Sequence, residues 1–320
     1  MNLTHIRTAR LYEKSISWQL VYEWEDAYKK AFNLPFSFEN RLIRAIGNRF
    51  PIINKFAFGG KQILVHIMMA PAYTNYYNSK HIIPLIIDYT LSLEQIAGFE
   101  RAFNQCPFIL ISSREVYDLL IVHGFKNRVF HFPLSLSDRY FPDEQILYHK
   151  KYDVVLMGRQ NPMLEKYLNE YAGRHNDFTY VQRVKRDNQF SYYSSTGECL
   201  GGINDRVAYM ELMKHGRIGL YSTPGLDNDR AMNGLSHVTP RFLELIASGC
   251  HILAKYPDNP DTKYFELDKF SPNITSYEIF ERQMDIARSS IIDIKFYQEY
   301  LKKHYISNRI SELKKILKEY

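Results

Sequence analysis

An arginine and a glutamate three residues apart, Arg241 and Glu244, have the residue types and the spacing of a nucleotide-binding pair. On a helix, residues three apart lie on one face. An arginine at a helix N-terminus can bind phosphate, because the guanidinium and the backbone N–H groups both attract anions. A carboxylate one turn later could accept hydrogen bonds from the two hydroxyls of a ribose. The pair therefore indicates a nucleoside diphosphate site; the alternative is an ion pair on a solvated helix surface.

The sequence around this pair predicts a short helix between a loop and a buried strand. Thr239 suits the N-cap and Pro240 the first helical position. Gly249 suits the position just beyond the last turn. The apolar run His251–Ala254 is typical of a strand covered on both faces. These elements would place the charged pair at the carboxyl end of a parallel sheet, where ligands bind in open α/β folds.

The whole segment, VTPRFLELIASGCH at residues 238–251, resembles the nucleotide-binding signature of GT-B glycosyltransferases of the "glycosyl transferases group 1" type. It is especially similar to a capsular or surface-polysaccharide subgroup. The resemblance covers most of residues 80–265 and is weak in the first 60. It implies an α/β fold of GT-B architecture, with two Rossmann-like domains whose parallel sheets face a cleft. It also implies transfer of a sugar from a nucleotide diphosphate sugar to a hydroxyl of a surface-glycan or lipid-linked acceptor.

The resemblance further implies roles for particular residues. Gly158 and Arg159 match a V-G-R segment that contacts the diphosphate, and Glu244 matches the second glutamate of an E-x7-E pattern, which binds the ribose. Ser236 stands where the first glutamate of that pattern is expected, so the full pattern is absent. The residues before the helix could surround the donor with backbone N–H groups and hydroxyls. The predicted donor-binding set is Gly158, Arg159, Gly234, Ser236, Thr239, Arg241 and Glu244.

Two side chains are candidates for acid–base chemistry. Asp88 ends a predicted strand of the first domain, where a carboxylate could act as general base on an acceptor hydroxyl. A turn cap or a salt bridge is the alternative for Asp88. His237, in the polar loop before the helix, is a second candidate that is expected to be exposed and has no partner identifiable from the sequence.

A different function is suggested by the triplet Asp227-Asn228-Asp229. Such a D-x-D triplet could bind a metal ion that holds a diphosphate, although the same residues also favour turns. A metal-dependent transferase using Asp227 and Asp229 is therefore one alternative, and a non-catalytic nucleotide-sugar-binding subunit is another. The main prediction needs neither metal nor cofactor, because two arginines and a helix dipole could neutralise the diphosphate.

Composition excludes several other classes of protein. The 320 residues are 45% hydrophobic and 24% charged, with a formal net charge of +6, which is globular and too weakly basic for a nucleic-acid partner. The cysteines are Cys106, Cys199 and Cys250, with no metal-binding spacing. The sequence has no signal-peptide core and no apolar run near the roughly 18 residues of a membrane span, which predicts a cytoplasmic protein.

Strands and helices alternate along the chain, as in a doubly wound parallel sheet. The predicted domains are residues 1–146, on the acceptor side, and 147–295, which would bind the nucleotide sugar. Residues 292–320 read as a helical tail, and its last part, about 296–320, is expected to pack on the first domain; a peripheral contact with anionic lipid is the alternative. Strands are predicted at residues 62–69, 82–87, 108–112, 128–132, 152–157, 179–184, 217–222 and 251–254. Further helices are predicted at 15–32, 41–49, 93–103, 114–123, 162–172 and 205–215.

Overall fold

The structure is a computed structural model that describes residues 1–38, 40–50, 58–68, 75–125, 128–186, 189–227, 232 and 234–320. These residues form two compact units. Unit 1 contains Met1–Ser137, residues 234–237 and Ile306–Tyr320; unit 2 contains Asp138–Met232 and Val238–Tyr305. The sequence placed its domain boundary at residue 146, and the units divide nine residues earlier, between Ser137 and Asp138. Among the described helices, none combines the length and the apolar character that crossing a membrane requires.

Unit 1 is built on a parallel sheet with the strand order β2-β1-β3-β4-β5-β6. Its strands are β1 (His5–Thr8), β2 (Phe36–Phe38), β3 (Ile63–Met68), β4 (Ile82–Ile87), β5 (Ile109–Ile111) and β6 (Val129–His131). Its helices are α1 (Ile16–Phe32), α2 (Arg41–Arg49), α3 (Ile96–Phe103), α4 (Arg114–Val122) and, from the chain's end, α11 (Ile306–Glu319). Short 3-10 helices occupy Asn75–Tyr77 and Leu93–Gln95.

The central strands β3 and β4 are almost entirely buried, as their continuous apolar sequences predict. A proline within a strand is typical of the edge of a sheet, yet Pro84 lies in a central strand. β4 lies between β3 and β5, and Pro84 pairs with Val65 of β3. The pairing of β4 with β5 begins only at Leu85, so the N–H that proline lacks falls before the ladder on that side.

Helix α11 belongs to unit 1 although it ends the chain. Its first N–H donates to the carbonyl of Leu136 at 2.8 Å, and the Arg309 Nε donates to the carbonyl of Pro133 at 3.0 Å. The amino group of Met1 donates to the carbonyl of Leu317 at 2.6 Å. The predicted helical tail is thus two helices, because α10 (Ile294–Lys302) ends before α11 begins and lies in unit 2.

Unit 2 has a mixed sheet with the strand order β10-β9-β8-β7-β11-β12. The strands are β7 (Tyr152–Val155), β8 (Tyr180–Arg186), β9 (Gln189–Ser194), β10 (Cys199–Gly201), β11 (Gly216–Ser222) and β12 (His251–Lys255). The four strands β8, β7, β11 and β12 lie side by side in that order and are parallel. Strands β9 and β10 extend the sheet beyond β8 and are antiparallel to their neighbours. This antiparallel extension was not predicted, since its residues are largely polar or aromatic and form no continuous apolar run.

The remaining helices of unit 2 include a short one that begins at residues whose types also favour turns. Helix α8 (Pro260–Tyr264) forms there because Asn259 and Thr262 form a reciprocal capping box. The other helices are α5 (Pro162–Arg174), α6 (Arg206–Lys214), α7 (Arg241–Ala247) and α9 (Tyr277–Ser289), with 3-10 turns at Glu144–His149 and Leu267–Lys269.

Helix α7, which carries Arg241 and Glu244, ends as predicted. Gly249 adopts a left-handed φ of +61°, and its N–H donates to the carbonyl of Ile246. The N–H of Cys250 donates to the carbonyl of Leu245, which completes a Schellman motif. This ending turns the chain directly into β12, parallel to β11.

Candidate functional site

The order of strands in unit 2 marks where a ligand would bind. From β7 the chain continues to β8 on one side, and later to β11 on the other side of β7. In open α/β sheets, ligands bind outside the carboxyl ends of strands at such a reversal of strand order. Gly158 and Arg159 follow the carboxyl end of β7, and α7 follows β11 in the chain.

Arg241 is held against the loop that follows β7. Its Nη1 donates a hydrogen bond to the carbonyl of Arg159. Gly158 has a left-handed φ of +66°, and a Cβ added there would collide with Nη2 of Arg241. The glycine therefore provides both the turn and the space for the guanidinium. The side chain of Arg159 is exposed, so two cationic groups lie at this edge of the sheet.

Tyr192, on the unpredicted strand β9, also contacts this loop. Burial raises the pKa of the Tyr192 hydroxyl, and a backbone hydrogen bond from Gly158 and the charges of Arg183 and Arg241 oppose that shift. The residue was missed from the sequence because nothing local distinguishes it from other tyrosines in a polar strand.

Glu244 lies in a different environment from Arg241. Its Oε1 accepts a hydrogen bond from Nη1 of Arg206 at 2.6 Å, and both side chains are about 95% buried. A buried carboxylate needs such a partner, because an unpaired charge in the interior is strongly destabilising. Arg206, the second residue of this ion pair, was not among the predicted site residues. The ribose-binding role of Glu244 stays a prediction.

Thr239 does not cap α7 with its side chain, so that prediction is wrong. The residue before the helix is Pro240, with helical angles of φ −55° and ψ −25°, and no side chain bonds to the first turn. The N–H of Thr239 instead donates to the hydroxyl of Tyr221 at 2.9 Å. The donor-binding role of Thr239 stays a prediction.

Asp227, the described member of the D-x-D triplet, is engaged by polar groups of unit 2. Its Oδ2 accepts a hydrogen bond from Asn161 Nδ2 at 3.0 Å and lies 3.4 Å from Lys255 Nζ. Asp229 lies outside the described residues. Within the described ranges, no three His, Cys, Asp or Glu side chains are grouped as metal ligands. A cationic partner makes Asp227 a weaker metal ligand, since it already neutralises the carboxylate.

Unit 1 brings together the two acid–base candidates. The carboxylate of Asp88, at the end of β4, is hydrogen-bonded through Oδ1 to Nε2 of His237. The Asp88 side chain is 26% exposed, whereas that of His237 is 2% exposed. The expectation that His237 is exposed and without a partner is therefore wrong: it is buried, and Asp88 orients its ring. The two residues are 149 positions apart, so no local pattern joins them.

The residues just before His237 are also part of unit 1. The N–H of Ser236 donates to Oε2 of Glu115 at 2.8 Å, and Leu235 packs against the apolar core of this unit. Gly234 is exposed with a left-handed φ of +77°. The predicted donor-binding roles of Gly234 and Ser236 thus fall on a segment whose contacts belong to unit 1, whereas the other predicted donor-binding residues lie in unit 2.

No family model matches the sequence, and no curated protein matches it by sequence similarity. Solved structures do match its fold. An α,α-trehalose-phosphate synthase (UDP-forming) from Burkholderia vietnamiensis is 9% identical, with 95% of this chain and 83% of that chain covered and a TM-score of 0.53. The glycotransferase of kitacinnamycin is 10% identical, with 98% and 99% covered and a TM-score of 0.51. The pneumococcal O-GlcNAc transferase GtfA, in complex with UDP and GlcNAc, is 10% identical, with 86% of this chain but 60% of that chain covered and a TM-score of 0.50.

The chain has a GT-B fold. This confirms the α/β architecture with two sheets dominated by parallel strands. At 9–10% identity the likeness concerns the fold, and the capsular subgroup stays a prediction.

Proposed function

We propose that this GT-B chain is a glycosyltransferase that moves a sugar from a nucleoside diphosphate sugar to a hydroxyl of a glycan or glycolipid acceptor. The observation that carries the proposal is the position of Arg241 over Gly158, with its guanidinium bonded to the backbone of Arg159 at the strand reversal of unit 2. A glycine loop beside two arginines has the chemistry of a diphosphate site.

In this proposal the diphosphate is bound without a metal ion. Arg159 and Arg241 neutralise the charge that develops on the departing nucleoside diphosphate, and such fixed charges need no reorganisation as the glycosidic bond breaks. Glu244 binds the ribose through its second carboxylate oxygen, Oε2, since Oε1 is bonded to Arg206. Arg206 orients the carboxylate, because its guanidinium donates a hydrogen bond to Oε1 within the interior.

Unit 1 contributes the general base in this proposal. Of the hydrogen-bonded pair, Asp88 is the more exposed, so its carboxylate accepts the proton of the acceptor hydroxyl. His237 is the positioning residue, because its ring fixes the carboxylate from the buried side. Two solved structures of similar fold support the donor class: the trehalose-phosphate synthase is UDP-forming, and GtfA holds UDP with GlcNAc.

The first experiment measures the thermal stability of the full chain against a panel of nucleoside diphosphates, with and without EDTA. A ligand at about a hundred times its Kd stabilises the folded state by roughly 2.7 kcal/mol, which raises Tm by about 4–8 °C. We expect one diphosphate to stabilise the protein regardless of EDTA. Arg241→Ala should weaken its binding about tenfold to a hundredfold, because a charged hydrogen bond is lost. The matched control is Arg282→Ala, an exposed arginine of α9 in the same unit.

The same panel separates the alternatives. Stabilisation that requires an added divalent ion would favour a metal site that includes Asp227. No stabilisation by any diphosphate would contradict the proposal. Asp88→Asn should bind the diphosphate like the native chain and lower kcat about a hundredfold or more. If the native chain binds the diphosphate sugar but neither transfers nor hydrolyses it, the chain is a binding subunit.

A further inference from the structure

Helix α2 presents its apolar residues to solvent. Leu42 is 74% exposed, Ile46 48% and Ile43 40%, and Phe50, the residue that follows the helix, is 54% exposed. At 100° per residue these four positions span about 100° of the helix circumference, so they form one continuous stripe. Phe38, at the end of β2 just before the helix, is also 50% exposed.

The polar side of the same helix faces the protein. Oδ1 of Asn48 accepts a hydrogen bond from the N–H of Tyr76 at 3.1 Å, and the Arg44 guanidinium lies 5.8 Å from the ring centre of Tyr77. Gly47 is buried between them. This orientation is the reverse of an ordinary surface helix, which buries its apolar stripe and exposes its polar side. An apolar stripe of this kind usually marks a binding surface.

The charge of the segment indicates what covers the stripe. Residues 40–50 contain no acidic residue, although Glu39 precedes them; Arg44 faces the protein, so the charge beside the stripe is that of Arg49. Arg49 is exposed beside the stripe, with its guanidinium 6.0 Å from the ring of Phe50. Apolar side chains flanked by arginine match the boundary between acyl chains and anionic headgroups in a bilayer. A second copy of this chain fits less well, because a two-fold interface would bring the arginines of both copies together.

Helix α11, part of the tail that the sequence suggested for lipid contact, has no exposed apolar stripe like that of α2. The apolar residues of α11, including Ile306, Leu313 and Leu317, are buried in unit 1. Its lysines remain outside, but no apolar stripe accompanies them. The exposed apolar surface lies on α2 instead.

We propose that the α2 stripe, formed by Leu42, Ile43, Ile46 and Phe50, docks the protein on an anionic membrane surface, with Arg49 at the level of the lipid phosphates. The inference is independent of the glycosyltransferase proposal, because it rests on the exposure and charge of α2 alone. It would place the enzyme beside a lipid-linked acceptor.

The test is co-sedimentation of the full chain with vesicles of phosphatidylcholine alone and of phosphatidylcholine mixed with phosphatidylglycerol. The native chain should bind the mixed vesicles and lose that binding as salt is raised. Ile46→Glu should weaken binding about tenfold or more, because it removes an apolar side chain from the acyl boundary and adds a negative charge. Arg49→Gln should weaken it about fivefold. The control is Val122→Glu, which places the same charge on another exposed apolar residue of unit 1 and should leave binding unchanged.

Three results would overturn this proposal. One is absence of binding by the native chain to the mixed vesicles. Another is an equal loss of binding in Ile46→Glu and Val122→Glu. The third is a native dimer in sedimentation velocity that Ile46→Glu converts to monomers, since the stripe would then be covered by a second copy. Because the substituted side chains are exposed, circular dichroism should show an unchanged fold in each variant.

Discussion

At the scale of single residues, Gly158 sets how closely Arg241 approaches the loop after β7. Two requirements meet at this position: the backbone has a left-handed φ, and the space where a Cβ would lie is occupied by the guanidinium. Either requirement alone disfavours other residues. Gly158 therefore links the conformation of the loop to the position of Arg241, which is a candidate for binding phosphate.

Replacing Gly158 by alanine should therefore affect both stability and diphosphate binding. We expect a loss of about 2 kcal/mol in the free energy of unfolding of unit 2, from left-handed strain and from displacement of Arg241. Diphosphate affinity should fall about tenfold. Gly197→Ala is the control, because Gly197 also has a left-handed φ but nothing within 4 Å of an added Cβ. Equal effects of the two variants, measured by urea unfolding and diphosphate titration, would show that the contact with Arg241 is unimportant.

The residue types indicated which chemistry the side chains could perform. They did not indicate which other side chains each one would contact. Arg241 and Glu244 were identified by spacing alone, and both lie on α7 as expected. Their environments differ, because Arg206 binds Glu244 in the interior while Arg241 contacts the loop of Arg159. A shared helical face does not determine which neighbours each side chain meets, since those neighbours come from other elements.

At the scale of elements, helices α4 and α7 end with the same local structure in different surroundings. Gly124 after α4 and Gly249 after α7 both have a left-handed φ near +60°, and both carry the two hydrogen bonds of a Schellman motif. Nothing lies within 4 Å of a Cβ added to Gly124, whereas one on Gly249 would lie 2.7 Å from Cγ2 of Ile146. Both positions therefore favour glycine because of the left-handed φ. Only Gly249 also needs glycine because a Cβ would clash with a neighbour.

Gly249→Ala should destabilise its unit by about 2–3 kcal/mol, and Gly124→Ala by about 1 kcal/mol, as read from urea unfolding. The larger effect comes from the clash with Ile146. In a double-mutant cycle, Ile146→Ala should relieve part of the Gly249→Ala effect, which gives a coupling energy of about 1 kcal/mol. A coupling energy near zero would mean that the backbone shifts to avoid the clash.

Element prediction succeeded where the periodicity was strong and failed where it was weak. Apolar runs and caps located most of the parallel strands and most helices, because burial and capping leave a local mark on the sequence, but the short strands β1 and β2 were missed. The edge strands β9 and β10 leave no such mark. β9 pairs antiparallel with β8, and β10 pairs antiparallel with β9; their short polar and aromatic sequences contain no continuous apolar run.

At the scale of the whole molecule, the chain crosses between its two units more often than a single linker would allow. Residues 234–237 and α11 belong to unit 1, although the sequence around each belongs to unit 2. Helix α11 packs near α1 and covers apolar residues of its own unit, with Leu313 fully buried. The stability of unit 1 therefore depends on the last residues of the chain.

Leu313→Ala should lower the free energy of unfolding of unit 1 by about 3 kcal/mol, because a buried leucine leaves a cavity. Hydrogen exchange should then lose protection in α1 (Ile16–Phe32) and leave α9 (Tyr277–Ser289) of unit 2 unchanged. Lys315→Ala, an exposed position on the same helix, is the control. Equal loss of protection in α1 and α9 would mean that the two units unfold together.

The sequence by itself determined the alternation of strands and helices, the GT-B architecture and the helix that carries Arg241 and Glu244. The alternation and the helix follow from hydrophobic periodicity and capping, whereas the GT-B architecture is what the family resemblance of residues 238–251 implies; all of these are properties of short contiguous segments. Only the tertiary structure joined Asp88 to His237 and paired Glu244 with Arg206. It alone also exposed the apolar stripe of α2. These contacts and exposures depend on how residues far apart in the sequence are brought together. That arrangement cannot be read from any short segment of the sequence.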